Sequence, residues 1–196
     1  MINRETVKLL RSMKLPGMAA ELESQLENPA AYKSLPFEDR FALIADAENI
    51  SRRQNTIRRR IKDAKLSEPT ASIEAIEYHE DRELDKSLIT ALATCAYIRE
   101  NHHVILKGAT GAGKSYIANA LGVAACRKLL KVRYIRLPDL LNEFAVAKAL
   151  NTQGKMKNCY AKFDLLIIDE WLLRPIPETE AMTFWKSLSP VPEKVH

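Results

Sequence analysis

The chain has 196 residues, of which 46% are hydrophobic and 28% are charged, and its formal net charge is +5. This length can bury one core together with a small helical region, and no apolar stretch approaches the roughly 20 residues that cross a bilayer, so we expect no membrane association. The N-terminus is charged from Arg4 onward, and Cys95, Cys126 and Cys159 are widely spaced, which excludes a visible secretory signal and a disulfide framework and favours a cytoplasmic protein.

Residues 1–68 predict a helical region. Asn3 is a candidate cap for a helix that continues to Lys14, and Pro16-Gly17 ends it. A second helix is predicted from Met18 to Glu27. We expect a small apolar core among these helices and the next one, formed by Leu9, Leu10, Met13, Leu22, Leu26, Phe37, Phe41 and Ile44.

A long basic helix is predicted next. It begins at Ser34 and Pro36 and reaches about Lys65, where Ser67-Glu68-Pro69 breaks it. At about 100° per residue, one narrow stripe of this helix is apolar. Most of the remaining circumference is occupied by cations, namely Arg52, Arg53, Arg58, Arg59, Arg60, Lys62 and Lys65. We therefore predict non-specific, salt-sensitive binding to a DNA phosphate backbone, with a merely solvated charged face as the alternative.

A phosphate-binding loop follows a connector and a further helix. Residues 69–83 have no firm pattern, a helix is predicted from Leu84 to Arg99, and Val104-Ile105-Leu106 is predicted as a strand. The next residues form a complete G-x-x-x-x-G-K-[ST] motif, namely Gly108, Ala109, Thr110, Gly111, Ala112, Gly113, Lys114 and Ser115. Such a loop points backbone N–H groups at phosphates; we expect Lys114 to reach the β- and γ-phosphates of ATP and the Ser115 hydroxyl to ligate Mg²⁺.

Strands alternate with helices after the loop. A helix is predicted from Ser115 to about Leu130, a strand from Val132 to Arg136, and another helix from Pro138-Asp139. Gly154 to Lys162 is predicted as a loop or frayed helix. This alternation predicts an α/β fold with a doubly wound parallel sheet of the P-loop NTPase type.

Two acids close the last apolar run. Leu165-Leu166-Ile167-Ile168 predicts a strand buried on both faces, and Asp169 and Glu170 follow it. Ligands bind at the carboxyl ends of parallel strands, so we expect Asp169 to hold Mg²⁺. We expect Glu170 to orient and deprotonate the attacking water. Lys114 and Glu170 are thus the candidate catalytic residues, with solvent-facing acids at a buried strand as the alternative.

The combined motifs resemble the IstB-like family of ATPases that assist transposition of insertion sequences, within the AAA+ class. The segments that carry the resemblance are 9–18, Phe37-Glu38-Asp39-Arg40, Leu92-Ala93-Thr94-Cys95, the phosphate loop, Arg136-Leu137-Pro138-Asp139-Leu140-Leu141 and Asp169-Glu170-Trp171. The resemblance implies a helical N-terminal region that grips double-stranded DNA, an ATPase core that assembles with copies of itself on the DNA, and a transposase as partner.

The end of the chain departs from that pattern. Only 26 residues follow Glu170 (196 minus 170), whereas the class needs a further strand with a polar sensor and an arginine finger. We therefore expect a C-terminally truncated core over 84–183, an irregular tail over 184–196, and ATP binding with doubtful hydrolysis. A DnaC-type helicase loader and a catalytically inactive remnant are alternatives, and a P-loop kinase is a weaker one.

Overall fold

The computed structural model describes the backbone of residues 2–78 and 84–170, and side chains from residue 4 onward within them. The capping role expected of Asn3, part of the connector predicted over 69–83, Trp171 and the tail predicted over 184–196 lie outside the described residues. The chain divides into two compact units, Met1–Arg58 and Arg59–His196. In the described ranges, no helix has both the length and the apolar character needed to span a membrane.

The first unit is helical, as predicted. It contains α1 (Ile2–Ser12), α2 (Pro16–Glu27), the short α3 (Pro29–Tyr32) and most of α4 (Phe37–Ala64). The last of these is one continuous helix of 28 residues, although its apolar residues change face along its length.

A close crossing of α2 and α4 organises this unit. A Cβ atom placed on Gly17 would lie 2.5 Å from the backbone oxygen of Ala47, so only glycine permits this approach. The Glu48 carboxylate accepts hydrogen bonds from the backbone N–H groups of Gly17 at 2.8 Å and Met18 at 3.2 Å. These N–H groups belong to the first turn of α2, which has no partners for them within the helix.

The expected apolar core of this unit was partly wrong. Leu9 and Met13 are each 58% exposed, and Phe37 and Phe41 are 73% and 51% exposed and stack on each other. The buried side chains include Val7, Ala19, Gln25 and Glu48. Close helix crossing favours small and hydrogen-bonded side chains, which leaves the larger apolar ones on outer faces.

The second unit alternates helices and strands. After the end of α4 it contains a 3-10 turn (Ile73–Ala75), α5 (Lys86–Ala93), α6 (Ala96–Arg99), α7 (Lys114–Arg127), β1 (Val132–Arg136), α8 (Leu137–Ala149), α9 (Gln153–Tyr160) and β2 (Leu165–Asp169). The helix predicted from Leu84 to Arg99 is divided because Cys95 has a left-handed backbone with φ of 60°.

The two strands pair in parallel, with Val132 opposite Leu165 and Arg136 opposite Asp169. Side chains on one sheet face, including Val132, Tyr134 and Ile167, pack with residues of α7. Those on the other face, including Ile135 and Ile168, pack with α8 and α9. The sheet is therefore covered by helices on both faces, and its carboxyl end carries Arg136 and Asp169.

The strand predicted at Val104-Ile105-Leu106 was wrong. These residues are not in a strand, and Ile105 is 77% exposed. Within the described ranges the sheet has only the β1–β2 ladder. An apolar segment becomes a strand only where another strand accepts its backbone hydrogen bonds, and here this segment pairs with neither strand.

Candidate nucleotide site

The phosphate loop leads directly into α7, whose first residue is Lys114. Gly111 and Gly113 have φ of 82° and 80°, in the left-handed region that glycine adopts without steric cost. This conformation curls the loop so that its N–H groups and the N-terminus of α7 can face one anion. A Cβ atom on Gly111 would meet no atom within 4 Å, so the space beside this residue is open.

Lys114 bends back across the loop. Its Nζ donates hydrogen bonds to the backbone oxygens of Gly108 at 2.9 Å and Ala109 at 2.6 Å. The ammonium group is therefore held at the mouth of the loop by groups that a phosphate could replace, because phosphate oxygens are stronger, charged acceptors.

Ser115 and Asp169 converge at the carboxyl end of β2. Burial acts to raise the pKa of the Asp169 carboxyl, but hydrogen bonds from Tyr134 and Ser115, the Glu170 N–H and the charge of Lys114 hold that pKa below its usual value. Asp169 is therefore ionised at neutral pH, and the Ser115 and Lys114 side chains are close enough to act on its pKa. The loop and the strand, separated in sequence, thus meet as one site.

These groups fit a magnesium ion. Mg²⁺ prefers oxygen ligands, and protein sites commonly supply one or two of them beside the phosphates and water. A hydroxyl and an ionised carboxylate side by side, at the mouth of a phosphate loop, form such a set. In the described ranges no cluster of three or more His, Cys, Asp or Glu side chains offers a competing metal site.

Glu170 sits at the junction just beyond β2. Its φ of 56° is left-handed, which is unusual for a residue with a side chain. Its N–H donates to the Asp169 carboxylate at 2.8 Å, and its own carboxylate lies 3.7 Å from the Arg136 guanidinium. Arg136 also pairs with Asp139 at 3.0 Å. The candidate general base is thus placed beside Asp169, with its side chain paired to a cation.

Sequence patterns missed three polar residues that surround this site. Asn119 is fully buried in α7, Tyr134 is 9% exposed in β1, and Ser67 follows α4. Tyr134 donates a hydrogen bond to the Asp169 carboxylate at 2.7 Å. The only sequence signal was an asparagine within the small apolar residues of α7, a position where burial requires partners.

Most of the basic residues predicted to contact DNA project from α4 into solvent, namely Arg52, Arg53, Arg58, Arg59 and Lys62, with Lys65 just after the helix. Arg52 also pairs with Glu48 at 2.7 Å. Arg60 differs, because it is half-buried and its charge acts on the pKa of the buried Cys126 thiol, which burial raises to about 11. Arg60 therefore faces the protein interior more than solvent.

Comparisons with known proteins agree on one family. The model described as IstB-like ATP binding protein matches residues 8–195. An ATP-binding protein of insertion sequence IS1162 from Pseudomonas fluorescens is 37% identical over 178 residues, which cover 91% of this chain and 77% of that protein. The insertion sequence ATP-binding protein y4uH of Sinorhizobium fredii is 31% identical, over 90% of this chain and 70% of its own length. The IS21 ATP-binding protein of Pseudomonas aeruginosa is 28% identical, over 92% of this chain and 68% of its own length.

Proposed function

Because this chain belongs to the IstB-like ATP-binding protein family, we propose that it binds ATP with Mg²⁺ and uses the bound nucleotide to help a transposase move an insertion sequence. Lys114 and the loop N–H groups bind the phosphates, while Ser115 and Asp169 hold the metal. The basic surface of α4 contacts double-stranded DNA without sequence preference.

The observation that carries the nucleotide proposal is the phosphate loop at the start of α7, with Lys114 held across it and the ionised Asp169 carboxylate close by. A glycine turn that served only to join two elements would not need an ionised carboxylate at its mouth. A strand that merely ended in solvent would not place its acid against the first turn of α7. Both alternatives leave this coincidence unexplained.

The chemistry divides among the residues as their positions suggest. Mg²⁺ would offset negative charge on the phosphate oxygens, which dominates catalysis of phosphoryl transfer. Glu170 orients the attacking water once its carboxylate leaves Arg136. Arginine fingers raise such rates by about 10³–10⁵, and no residue of this chain is assigned to that role. We therefore propose nucleotide binding as the primary activity and treat hydrolysis as a separate measurement.

The test is the affinity of the purified chain for a fluorescent ATP analogue. Lys114→Ala should weaken binding at least about 10-fold, because a lysine charge on the phosphates is lost. Lys148→Ala is the matched control, since Lys148 is exposed near the end of α8. Equal affinities of wild type and Lys114→Ala would refute the site, and so would a wild type that does not bind the analogue. Glu170→Gln should retain binding and remove any hydrolysis.

The insertion-sequence names of the relatives support a transposase as partner over a replicative helicase. Binding of the nucleotide-loaded chain to a purified transposase of the same insertion sequence tests this choice. Retention of a replicative helicase, and not of the transposase, would favour the loader. The proposed self-assembly on DNA is tested by light scattering, in which mass should increase only when both DNA and nucleotide are present.

A further inference from the structure

Polar side chains after α4, on α7 and on β1 lie around the Asp169 carboxylate that is proposed to bind the metal. The Asn119 amide Nδ2 donates to the Ser67 hydroxyl at 2.9 Å. Tyr134 donates to Asp169 Oδ2 at 2.7 Å, and the Ser67 side chain is close enough to Tyr134 to act on its pKa. All these residues belong to the second unit.

The hydrogen-bond directions at the two ends of this group are fixed. Asn119 Oδ1 accepts the backbone N–H of Glu68 at 3.2 Å, so Nδ2 is the donating end and Ser67 accepts from it. Ionised Asp169 can only accept, so the Tyr134 hydroxyl donates to it.

The geometry of the sheet explains why a tyrosine occupies this position. Tyr134 pairs with Ile167, and Asp169 is two residues further along the same strand. Side chains two apart lie on the same sheet face, about 6.6 Å from each other along the strand. A tyrosine is long enough to cross that distance diagonally. A shorter hydroxyl residue at position 134 would not reach the carboxylate.

The same asparagine also contacts the other half of the metal site. Asn119 Nδ2 donates to the backbone oxygen of Ser115 at 2.7 Å. Its amide thus connects the first turn of α7 to Ser67, on the segment that immediately follows the basic helix. In that segment Leu66 is buried beside Gly122 and Ile167.

We propose that Tyr134 is a positioning residue for the magnesium site, which orients the Asp169 carboxylate towards Ser115 and is itself aligned by Ser67 and Asn119. This inference rests on the proposed function, because it assigns Asp169 to the metal. One carboxylate oxygen accepts from Tyr134 and the other from the Glu170 N–H. With both oxygens engaged, rotation of the carboxylate is restricted.

The test compares the dissociation constant of a fluorescent ATP analogue in Mg²⁺ with that in EDTA. The dissociation constant in EDTA divided by that in Mg²⁺ measures what the metal contributes. Tyr134→Phe keeps the buried ring and removes only the hydroxyl, so this ratio should fall about 10-fold or more, as for other residues that orient metal ligands. Binding in EDTA should stay within about 2-fold of wild type. Ser67→Ala should have a smaller effect, because Ser67 is exposed and water can replace its hydroxyl.

The matched control is Tyr160→Phe. Tyr160 also donates to a carboxylate, Glu143, at 2.7 Å, but in the α8–α9 region. It should leave the magnesium ratio unchanged. A thermodynamic cycle with Asp169→Asn then separates positioning from general destabilisation. If Tyr134 acts through Asp169, Tyr134→Phe should change the ratio by less than about 2-fold in that background.

The outcomes distinguish this inference from the function on which it rests. Wild type that binds nucleotide without preferring Mg²⁺ refutes the metal assignment itself. Wild type with a clear preference that Tyr134→Phe retains refutes only the positioning role. An equal loss of affinity in Mg²⁺ and in EDTA also refutes it, because a purely structural defect would weaken both.

Discussion

The basic helix offers a sharp test of DNA binding, because neighbouring cations on it occupy different environments. Arg59 and Lys62 are both exposed, and residues three apart on a helix lie about 60° from each other, on one face. Arg60 is half-buried and close to Cys126. We predict that the double variant Arg59→Gln, Lys62→Gln loses DNA affinity, whereas Arg60→Gln does not.

The size of the effect follows from counterion release. Each contacted phosphate contributes about −0.9 to the slope of log K against log salt on duplex DNA. Two lost contacts should therefore make the slope shallower by about 1.8. With the affinities of variant and wild type taken as equal at 1 M salt, this difference in slope makes the variant bind roughly 60-fold more weakly than wild type at about 0.1 M salt. Arg60→Gln should change the slope by less than about 0.3, because its guanidinium does not face solvent fully.

Fluorescence anisotropy with a labelled duplex of arbitrary sequence, titrated at several salt concentrations, measures both quantities. Thermal unfolding of each variant shows whether the fold is retained. A second duplex of different composition should give the same affinity, since phosphate contacts carry no sequence information. The reasoning is refuted if the double variant keeps the wild-type slope, or if Arg60→Gln flattens it as much.

Two predictions concern the helical unit. Gly17→Ala should lower the free energy of unfolding by about 1–3 kcal/mol, because its methyl group would overlap the backbone at Ala47. Gly154→Ala is the control: there is open space around Gly154, so this change should lower the free energy of unfolding by less than about 0.5 kcal/mol. Chemical denaturation with urea measures both values. The hydrogen bond from Arg52, with those from the α2 backbone, lowers the pKa of Glu48 against the opposing effect of burial. A lowered folded pKa stabilises the protein above the unfolded value near 4.5 and loses this effect as pH falls through the folded pKa. Wild type should therefore melt above Glu48→Gln at pH 7 by circular dichroism, with the gap closing below pH 4.5; a gap that is constant with pH contradicts the assignment.

The sequence predicted those features that depend on local backbone chemistry. The glycines and lysine of residues 108–115 could be recognised because a phosphate loop needs left-handed φ and an adjacent helix. The strand that ends at Asp169 could be predicted because it contains four consecutive branched apolar residues. The prediction of a strand at Val104 was wrong, because strand formation depends on a partner strand that the residues of the segment do not specify.

The helical unit shows a second limit, because an apolar residue does not reveal which face of a helix will be covered. Phe37 and Phe41 have large apolar side chains of the kind found in protein cores, yet both are largely exposed. The position that shapes this unit is Gly17, within the Leu15-Pro16-Gly17-Met18 segment that carried the family resemblance. Its role depends on the backbone of Ala47, which lies too close for any side chain at position 17. A segment interpreted as a functional motif therefore also allows close helix packing.

The residues proposed to orient Asp169 could not be found from spacing, because their partners are remote in sequence. Tyr134 and Asp169 are 35 residues apart, and Ser67 and Asn119 are 52 apart. Each looks ordinary locally, since tyrosine suits a strand and serine suits a helix end. A buried polar group is stable only when it is hydrogen-bonded, so full burial of Asn119 required partners somewhere in the fold. The general consequence is that a phosphate-loop motif points to the residues proposed to bind the metal, while the contacts that hold Asp169 in place come from polar residues that no local motif contains.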